Sequence, residues 1–134
     1  MNVFVTGGAG FIGSNFVRHL LKSNKVAKIT NFDKLTYAGN PESLADVAND
    51  PRYTFVRGDI ANANEVNAVL ERRFDAIVNF AAETHVDRSI EDASPFLTTN
   101  IFGTRCLLEA ARRVQLPRLF ISVQMRFMAV PQQE

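Results

Sequence analysis

The sequence lacks the cysteine pairs typical of secreted proteins and the excess of basic residues typical of proteins that bind nucleic acid. It contains one cysteine, Cys106, no tryptophan, and 15 basic against 14 acidic residues, for a net charge of +1. A single cysteine cannot form an internal disulfide, which is typical of proteins of a reducing cytoplasm. A net charge this close to zero gives no electrostatic basis for binding nucleic acid or an anionic membrane. We therefore expect neither partner.

Long hydrophobic runs are also missing, since no apolar stretch is long enough to span a bilayer. Residues 1–6 have neither the basic start nor the small-residue cleavage site of a signal peptide, so we expect a cytoplasmic protein. With 46% hydrophobic and 22% charged residues over 134 positions, the composition predicts one globular domain with one core. The apolar helical pattern around Cys106 indicates a core residue and not a nucleophile.

Short apolar runs alternate with helical patterns along the chain. Strands are predicted at 3–6, 27–32, 53–56, 76–80 and 119–122, and helices at 11–22, 40–47, 62–71 and 95–114. Alternation of this kind predicts right-handed βαβ units and a parallel sheet. The strands are apolar, as required when helices cover both faces. We predict an α/β fold, a three-layer doubly wound Rossmann-type parallel sheet of about five strands in the order 3-2-1-4-5.

A glycine-rich segment, residues 7–13, follows the first strand and opens the first helix. It matches G-x-G-x-x-G at Gly8, Gly10 and Gly13, and G-x-x-G-x-x-G from Gly7. A dinucleotide pyrophosphate needs close backbone approach and free N–H groups at a helix N-terminus, and side chains would block that approach. The pattern predicts a dinucleotide site; the alternative is a glycine-rich turn with no ligand.

Asp33 ends the second strand about 20 residues after Gly13. A carboxylate there can accept hydrogen bonds from the adenosine ribose hydroxyls and would repel a 2′-phosphate, which favours NAD over NADP. Lys34 and Arg18 complicate this preference because either cation could offset a phosphate. The alternative is an Asp that only caps its own loop.

The ends of the third and fourth strands carry further candidates. Asp59 is placed to accept a hydrogen bond from an adenine amino group, although Gly58-Asp59 is also a common turn sequence. Small residues at Ala81 and Ala82, after Phe80, would let a cofactor cross the switch point of the sheet.

Three segments give the chain a narrower likeness: residues 33–40, residues 80–90, and residues 99–104 followed by 107–111. These resemble the bacterial dTDP-glucose 4,6-dehydratases, a subgroup of the extended short-chain dehydrogenase/reductases, over residues 1 to about 122. The resemblance implies an NAD-dependent lyase of nucleotide-sugar biosynthesis, which converts dTDP-glucose to dTDP-4-keto-6-deoxyglucose and is usually a homodimer. The resemblance covers only the cofactor-binding part of such an enzyme, so residues 1–122 would be an incomplete Rossmann domain.

The resemblance also implies site residues. Together with the glycines, the NAD site would comprise Gly7, Gly8, Gly10, Phe11, Ile12, Gly13, Asp33, Lys34, Leu35, Thr36, Asp59, Ile60, Phe80, Ala81, Ala82 and Thr99. Thr84 would stand between cofactor and sugar, with His85 and Arg88 on the substrate side. The alternatives are a structural hydrogen bond for His85 and, for Arg88, a pairing with Asp87 or Glu91.

The chain departs from the family where the catalytic residues should follow. The family reaction uses a Tyr-x-x-x-Lys pair and an Asp-Glu pair just after the fifth strand, in Ser-Thr-Asp-Glu-Val-Tyr-Gly. From Ser122 this chain reads Ser-Val-Gln-Met-Arg-Phe-Met-Ala, and neither pair occurs anywhere in it. We therefore predict that it contains no catalytic residues and no metal site.

Residues 123–134 are predicted to be an aberrant, frameshifted tail. Codons for residues 123–129 can be chosen so that a one-base shift spells Ala-Asp-Glu-Val-Tyr-Gly. The alternatives are a divergent tail or an artificial boundary. For function, the alternatives are a non-catalytic NAD- or nucleotide-sugar-binding fragment, or another NAD-dependent nucleotide-sugar epimerase or decarboxylase, against which residues 84–89 argue.

Overall fold

The computed structural model describes residues 1–122, except for the side chains of residues 86–88; the predicted tail lies outside the described residues. The strands are β1 Asn2–Thr6, β2 Lys28–Asp33, β3 Tyr53–Arg57, β4 Ala76–Asn79 and β5 Leu119–Ile121. The helices are α1 Phe11–Lys22, a 3₁₀ helix Pro41–Val47, α2 Ala63–Leu70, α3 Val86–Glu91, α4 Ser94–Phe96, a π-helical segment Leu97–Gly103 and α5 Thr104–Arg113.

The five strands form one parallel sheet in the order β3-β2-β1-β4-β5, which confirms the predicted topology. Val3 of β1 lies opposite Ile29 on one side and Ala76 on the other. From β1 the chain therefore adds β2 and β3 on one side, and then β4 and β5 on the other. The carboxyl ends of β1 and β4 flank the switch point, where open α/β sheets bind ligands.

Alternate residues of the central strand supply two cores, one on each face of the sheet. Val3 and Val5 pack on the α1 side. Phe4 points to the opposite face, where Val66 of α2 and Leu107 of α5 cover it. All five of these side chains are at most 2% exposed. The molecule therefore has the predicted three layers, and the two helical layers hold the sheet edge rigid where a ligand would approach.

The predicted start of α2 at Asn62 is confirmed, and it helps to position the sheet edge. The Asn62 side chain accepts hydrogen bonds from the N–H groups of Asn64 and Glu65, which is an N-cap. The Glu65 carboxylate accepts from the Asn62 amide at 2.8 Å and from the N–H of Asp59 at 2.8 Å. The start of α2 thereby fixes the loop that follows β3.

The helical region after residue 93 differs from the single helix predicted at 95–114. Residues 97–103 form a π-helical segment, which periodicity at 3.6 residues per turn does not reveal. One consequence is that Ile101 and Phe102 are 57% and 54% exposed, whereas Leu107 is buried. Cys106 is only partly buried, with its Sγ 3.7 Å from the carbonyl oxygen of Ala61, so it lies at the margin of the core and not within it.

Helix α3 was not predicted at all. No helix within residues 1–122 is both long enough and apolar enough to cross a bilayer.

Candidate functional site

A groove runs along the carboxyl edge of the sheet and crosses the switch point between β1 and β4. Its first part is formed by the ends of β1 to β4 and by the π segment; its lining comprises Gly7, Gly10, Phe32, Asp33, Lys34, Thr36, Ala38, Gly39, Gly58, Asp59, Ile60, Phe80, Ala81, Ala82, Glu83 and Thr99. Beyond Gly7 and Gly10 the groove continues along Phe11, Ile12, Gly13, Thr84 and Ser122. The structure thus brings together most of the residues that the sequence predicted.

Three glycines of residues 7–13 are required by the packing of the loop itself. Gly7 has φ +69°, and a Cβ there would lie 2.4 Å from the Ala81 nitrogen. A Cβ on Gly8 would lie 2.3 Å from Asn31 Oδ1, and one on Gly13 would lie 2.3 Å from the carbonyl oxygen of Gly7. These contacts are far too short, so only glycine lets the loop fit between the sheet and α1.

Gly10 is different. A Cβ there would meet only the carbonyl oxygen of Gly7, at 3.4 Å, which is an ordinary van der Waals contact. Its φ of −77° and ψ of 173° suit any residue. Gly10 nevertheless faces both parts of the groove. The fold does not demand a bare backbone at this position, whereas a ligand lying against the loop would.

Gly10 is also the N-cap of α1, and no side chain caps the helix. The first N–H groups of an α-helix have no partner inside the helix, and the helix dipole adds partial positive charge there. Phe11, at the first helical position, is 86% exposed. The start of α1 therefore offers uncapped donors at the groove, the arrangement that binds phosphate in other proteins.

Asp33 is buried, at 8% exposure, and is tied to the backbone on both sides. Its Oδ2 accepts from the N–H of Ala9 at 2.9 Å and its Oδ1 from the N–H of Leu35 at 2.8 Å. It therefore does act as the loop-capping Asp that the alternative interpretation proposed. A carboxylate has about four lone-pair sites, so capacity to accept from ribose hydroxyls remains, and the predicted ribose role stays a prediction.

The two cations that complicated the cofactor preference are both paired. The Nζ of Lys34 lies 2.7 Å from Oδ2 of Asp59, with 57% and 25% of the side chains exposed. Arg18 Nε lies 2.9 Å from Oδ2 of Asp46, and the hydrogen bond from Arg18 lowers the pKa of the Asp46 carboxyl. Neither cation stands alone to attract a 2′-phosphate.

Asp59 is held from two directions besides Lys34. Its Oδ1 accepts from the N–H of Ala61 at 2.9 Å, and its own N–H is bound by Glu65. The carboxylate thus has a fixed position at the end of the groove, where the sequence predicted a contact with adenine.

Two asparagines that the sequence analysis did not single out organise the loop after β4. Asn79 Oδ1 accepts from the Thr6 hydroxyl and, at 3.1 Å, from the N–H of Ala81. Asn100 Oδ1 accepts from the N–H of Glu83 at 2.8 Å, and its Nδ2 donates to the carbonyl oxygen of Glu83 at 2.9 Å. The π segment that carries Asn100 also carries Thr99, which lines the groove. The only sequence signal for Asn100 was its place in the family-like run 99–104.

Of the three predicted substrate-side residues, one lies at the other end of the groove. Thr84 lines it beside Ser122. The ring of His85 contacts the ring of Tyr37 edge-on, with centroids 6.1 Å apart, so His85 meets the loop after β2. The side chain of Arg88 lies outside the described residues.

Three of the predicted residues that the structure describes do not line the groove: Gly8, Leu35 and His85. Gly8 lies beneath the loop against Asn31, and Leu35, at φ +58°, contributes its N–H to Asp33. The lining residues that sequence reasoning missed are Phe32, Ala38, Gly39, Gly58, Glu83 and Ser122. Of these, Ala38 and Gly39 lie in the run 33–40, whereas nothing in the sequence singles out Phe32.

Beneath the loop, the amide of Asn31 donates to the Tyr53 hydroxyl at 3.0 Å. Burial raises the pKa of Tyr53, and the hydrogen bond from Asn31 opposes that rise in part. This part-buried polar pair lies under the glycine loop on the sheet side, where Asn31 packs against Gly8.

Known proteins show the same architecture. The dTDP-glucose 4,6-dehydratase of Neisseria gonorrhoeae is 54% identical over 112 residues, which are 83% of this chain and 32% of that protein. The structure of DesIV, a dTDP-glucose 4,6-dehydratase from Streptomyces venezuelae with NAD and TYD bound, matches 89% of this chain and 38% of its own at 51% identity and a TM-score of 0.84. A Thermus thermophilus UDP-glucose 4-epimerase in complex with NAD matches 89% of this chain and 36% of its own at 32% identity and a TM-score of 0.77.

This chain spans about a third of the length of the curated relatives it matches. The family model described as GDP-mannose 4,6 dehydratase matches residues 4–130, which is nearly the whole sequence. With the groove, the strand order and these likenesses in agreement, the chain belongs to the GDP-mannose 4,6-dehydratase family.

Proposed function

We propose that this chain binds NAD across the switch point of its sheet, as the cofactor-binding part of a dTDP-glucose 4,6-dehydratase. The observation that carries the proposal is Gly10: it has room for a side chain, yet presents bare backbone where the groove meets the uncapped start of α1. The dehydratases and the epimerase cited above, some crystallised with NAD, support the choice of ligand.

A dinucleotide would lie along the length of the groove. The first N–H groups of α1 would bind the pyrophosphate, Asp33 would accept from the adenosine ribose, and the fixed carboxylate of Asp59 would accept from the adenine amino group. The small side chains of Ala81 and Ala82 would leave room for the ligand where it crosses the sheet from β2 to β4. When bound, NAD supplies a reversible acceptor for hydride.

The substrate of the family reaction would lie at the far end of the groove. We propose that a dTDP-linked hexose is bound beside Thr84, with His85 and Arg88 on its outer side. Thr84 lines the same part of the groove as Ser122 and Ile12, and its hydroxyl would hydrogen-bond a sugar hydroxyl next to the cofactor.

The chain itself would hold the cofactor without carrying out the dehydration. Its sequence contains neither a Tyr-x-x-x-Lys pair nor an Asp-Glu pair, so no positioned base takes the sugar hydroxyl proton and no acid assists loss of water. This favours a binding function for the chain over catalysis.

We also propose self-association through the helical region after residue 93. Leu97, Ile101 and Leu108 are 49%, 57% and 49% exposed, and contiguous exposed apolar surface marks interaction sites. Sedimentation velocity of the full chain should then show a dimer, and Ile101→Glu should return it to a monomer.

The NAD proposal is tested by calorimetric titration of the full chain with NAD⁺, beside the Gly10→Ser variant. Ser is a favoured N-cap, so this variant should be at least as stable to heat, while its hydroxyl occupies the uncapped N–H groups and its Cβ fills the cradle. We expect the affinity for NAD⁺ to fall tenfold or more, which corresponds to a loss of at least about 1.4 kcal/mol in binding free energy. Equal affinity in both proteins would show that the ligand does not lie on the loop.

A further inference from the structure

The ion pair between Lys34 and Asp59 closes the end of the groove beside Asp33. Lys34 directly follows Asp33 at the carboxyl end of β2, and all three side chains line the same part of the groove. The pair is short, at 2.7 Å between Nζ and Oδ2. Lys34 is therefore a cation that could pair with a phosphate on the ribose, but its ammonium is already bound to the carboxylate of Asp59.

The two partners are not equally free to move. The Asp59 carboxylate is anchored by the N–H of Ala61 and its backbone by Glu65, and its side chain is 25% exposed. The Lys34 side chain is 57% exposed, and a lysine ammonium on its four-carbon stem is flexible when nothing holds it. Asp59 is thus the fixed member, and its position decides where the ammonium points.

We propose that Asp59 is a specificity-determining residue, which withholds the Lys34 ammonium from the 2′-position of the adenosine ribose. This inference rests on the proposed NAD function and adds a second element to it. Asp33 repels a 2′-phosphate by its own charge, and Asp59 removes the cation that would otherwise compensate. Selection against the wrong ligand commonly uses such a repulsive or withheld element as well as an attractive one.

The size of the effect is limited by the exposure of the pair, because exposed ion pairs are worth little and are screened by salt. Freeing Lys34 should therefore raise the affinity for NADP⁺ relative to NAD⁺ by roughly threefold at low salt. The ratio of the two affinities is the quantity to measure, since any contact of Asp59 with adenine is common to both ligands and cancels.

The experiment titrates the full chain with NAD⁺ and with NADP⁺ in four forms. Asp59→Asn keeps an oxygen for the Ala61 N–H but releases Lys34, and the ratio should rise. In the double variant Asp59→Asn/Lys34→Met the ratio should return to the wild-type value. Asp46→Asn removes the carboxylate partner of Arg18, a cation that lines neither part of the groove and still donates to the Ser43 carbonyl, so this matched control should leave the ratio unchanged.

Two results would overturn the inference. An unchanged ratio in Asp59→Asn would show that Lys34 is not withheld. A ratio that stays raised in the double variant would show that Asp59 repels the phosphate directly. Failure of the wild-type chain to bind either dinucleotide is a separate outcome, which removes the proposed function and this inference with it.

Discussion

The carboxylate of Asp33 accepts the backbone N–H of Ala9 at 2.9 Å, across 24 residues of sequence. The end of β2 is therefore bonded directly to the glycine loop that follows β1. An acid selected for contact with a ribose would not need this bond. Asp33 consequently has two separable roles: it holds the glycine loop through hydrogen bonds, and we propose that it accepts hydrogen bonds from the ribose of the ligand.

Replacing Asp33 by Asn should impair both tasks. The amide offers one acceptor oxygen and one donor NH₂, so one of the N–H groups of Ala9 and Leu35 would face a donor. We expect a loss of about 1–3 kcal/mol in the free energy of unfolding, as for a buried unsatisfied group, together with weaker NAD⁺ binding. Urea denaturation and calorimetry measure the two effects.

Asp75→Ala, which removes the acceptor altogether, is the control for that experiment. Asp75 Oδ2 accepts from the N–H of Asn2 at 2.6 Å, which is the same type of bond at the opposite edge of the sheet. It should lower stability and leave NAD⁺ affinity unchanged. If both variants reduced affinity equally, the loss in Asp33→Asn would reflect general destabilisation.

Gly13→Ala should destabilise the chain. The added Cβ would lie 2.3 Å from the carbonyl oxygen of Gly7 and 2.7 Å from the Cα of Gly8, so backbone must move. Overpacking of this kind typically costs about 1–3 kcal/mol, and thermal unfolding should show it. Unchanged stability would mean that α1 can move away from the loop without penalty.

Asn100→Ala should loosen the loop after β4. Both hydrogen bonds to the Glu83 backbone are lost, and because the site is exposed we expect only about 1 kcal/mol in stability. The effect on NAD⁺ affinity should be larger than that of Asn67→Ala, which removes a bond to Arg113 far from the groove. Equal affinities in the two variants would argue against a positioning role for Asn100.

The Tyr53 hydroxyl should ionise at a pH above the ordinary tyrosine pKa of 10.0, because burial raises the pKa. A raised pKa in the folded state means that stability is retained below about pH 10 and falls as the pH rises through the two values. The Tyr37→Phe variant leaves Tyr53 as the sole tyrosine, so its tyrosinate absorbance can be titrated alone. A midpoint at or below that of the denatured chain would contradict the expectation.

Incubation of the chain with NAD⁺ and dTDP-glucose should yield no 4-keto product. Each positioned acid or base typically contributes about 10²–10⁴-fold to rate, and the sequence lacks all four groups on which the family reaction depends. Turnover near ~1 s⁻¹, within the ordinary range of enzymes, would show that other residues perform these steps.

Much of the fold could be predicted because its signals are local. The alternation of strand and helix patterns, with the glycine loop after the first strand, predicted the strand order, and the Asn62 and Glu65 pair marked the start of α2. The π-helical segment could not be predicted, since a helical period of 3.6 residues does not reveal it. Nor could the close approach of Gly103 to Ile60, where an added Cβ would lie 2.6 Å from the Ile60 side chain, because the two residues are distant in sequence. Helix α3 is only six residues long, too short for a periodic pattern.

Some residues of the candidate site could also be predicted from local sequence signals, and others could not. The glycines and Asp33 were recognisable because a short motif and a fixed spacing identify them. The pairing of Lys34 with Asp59 was not, because it joins two strand ends that become neighbours only in the folded sheet. The assignment of residues 123–134 as a frameshifted tail stays a prediction, and sequencing the gene across the codons for residues 120–124 would test it.

The central position of β1 has a consequence for the order of folding. Val3 pairs with Ile29, 26 residues away, and with Ala76, 73 residues away. The second pairing closes a long loop, whose entropy must be lost before its contacts form. During synthesis the first strand can be paired on one side only until residue 76 has emerged. The wall of the groove formed by Ala81 against Gly7 therefore cannot form before residue 81 has been made, and a shorter nascent chain should have little affinity for a dinucleotide.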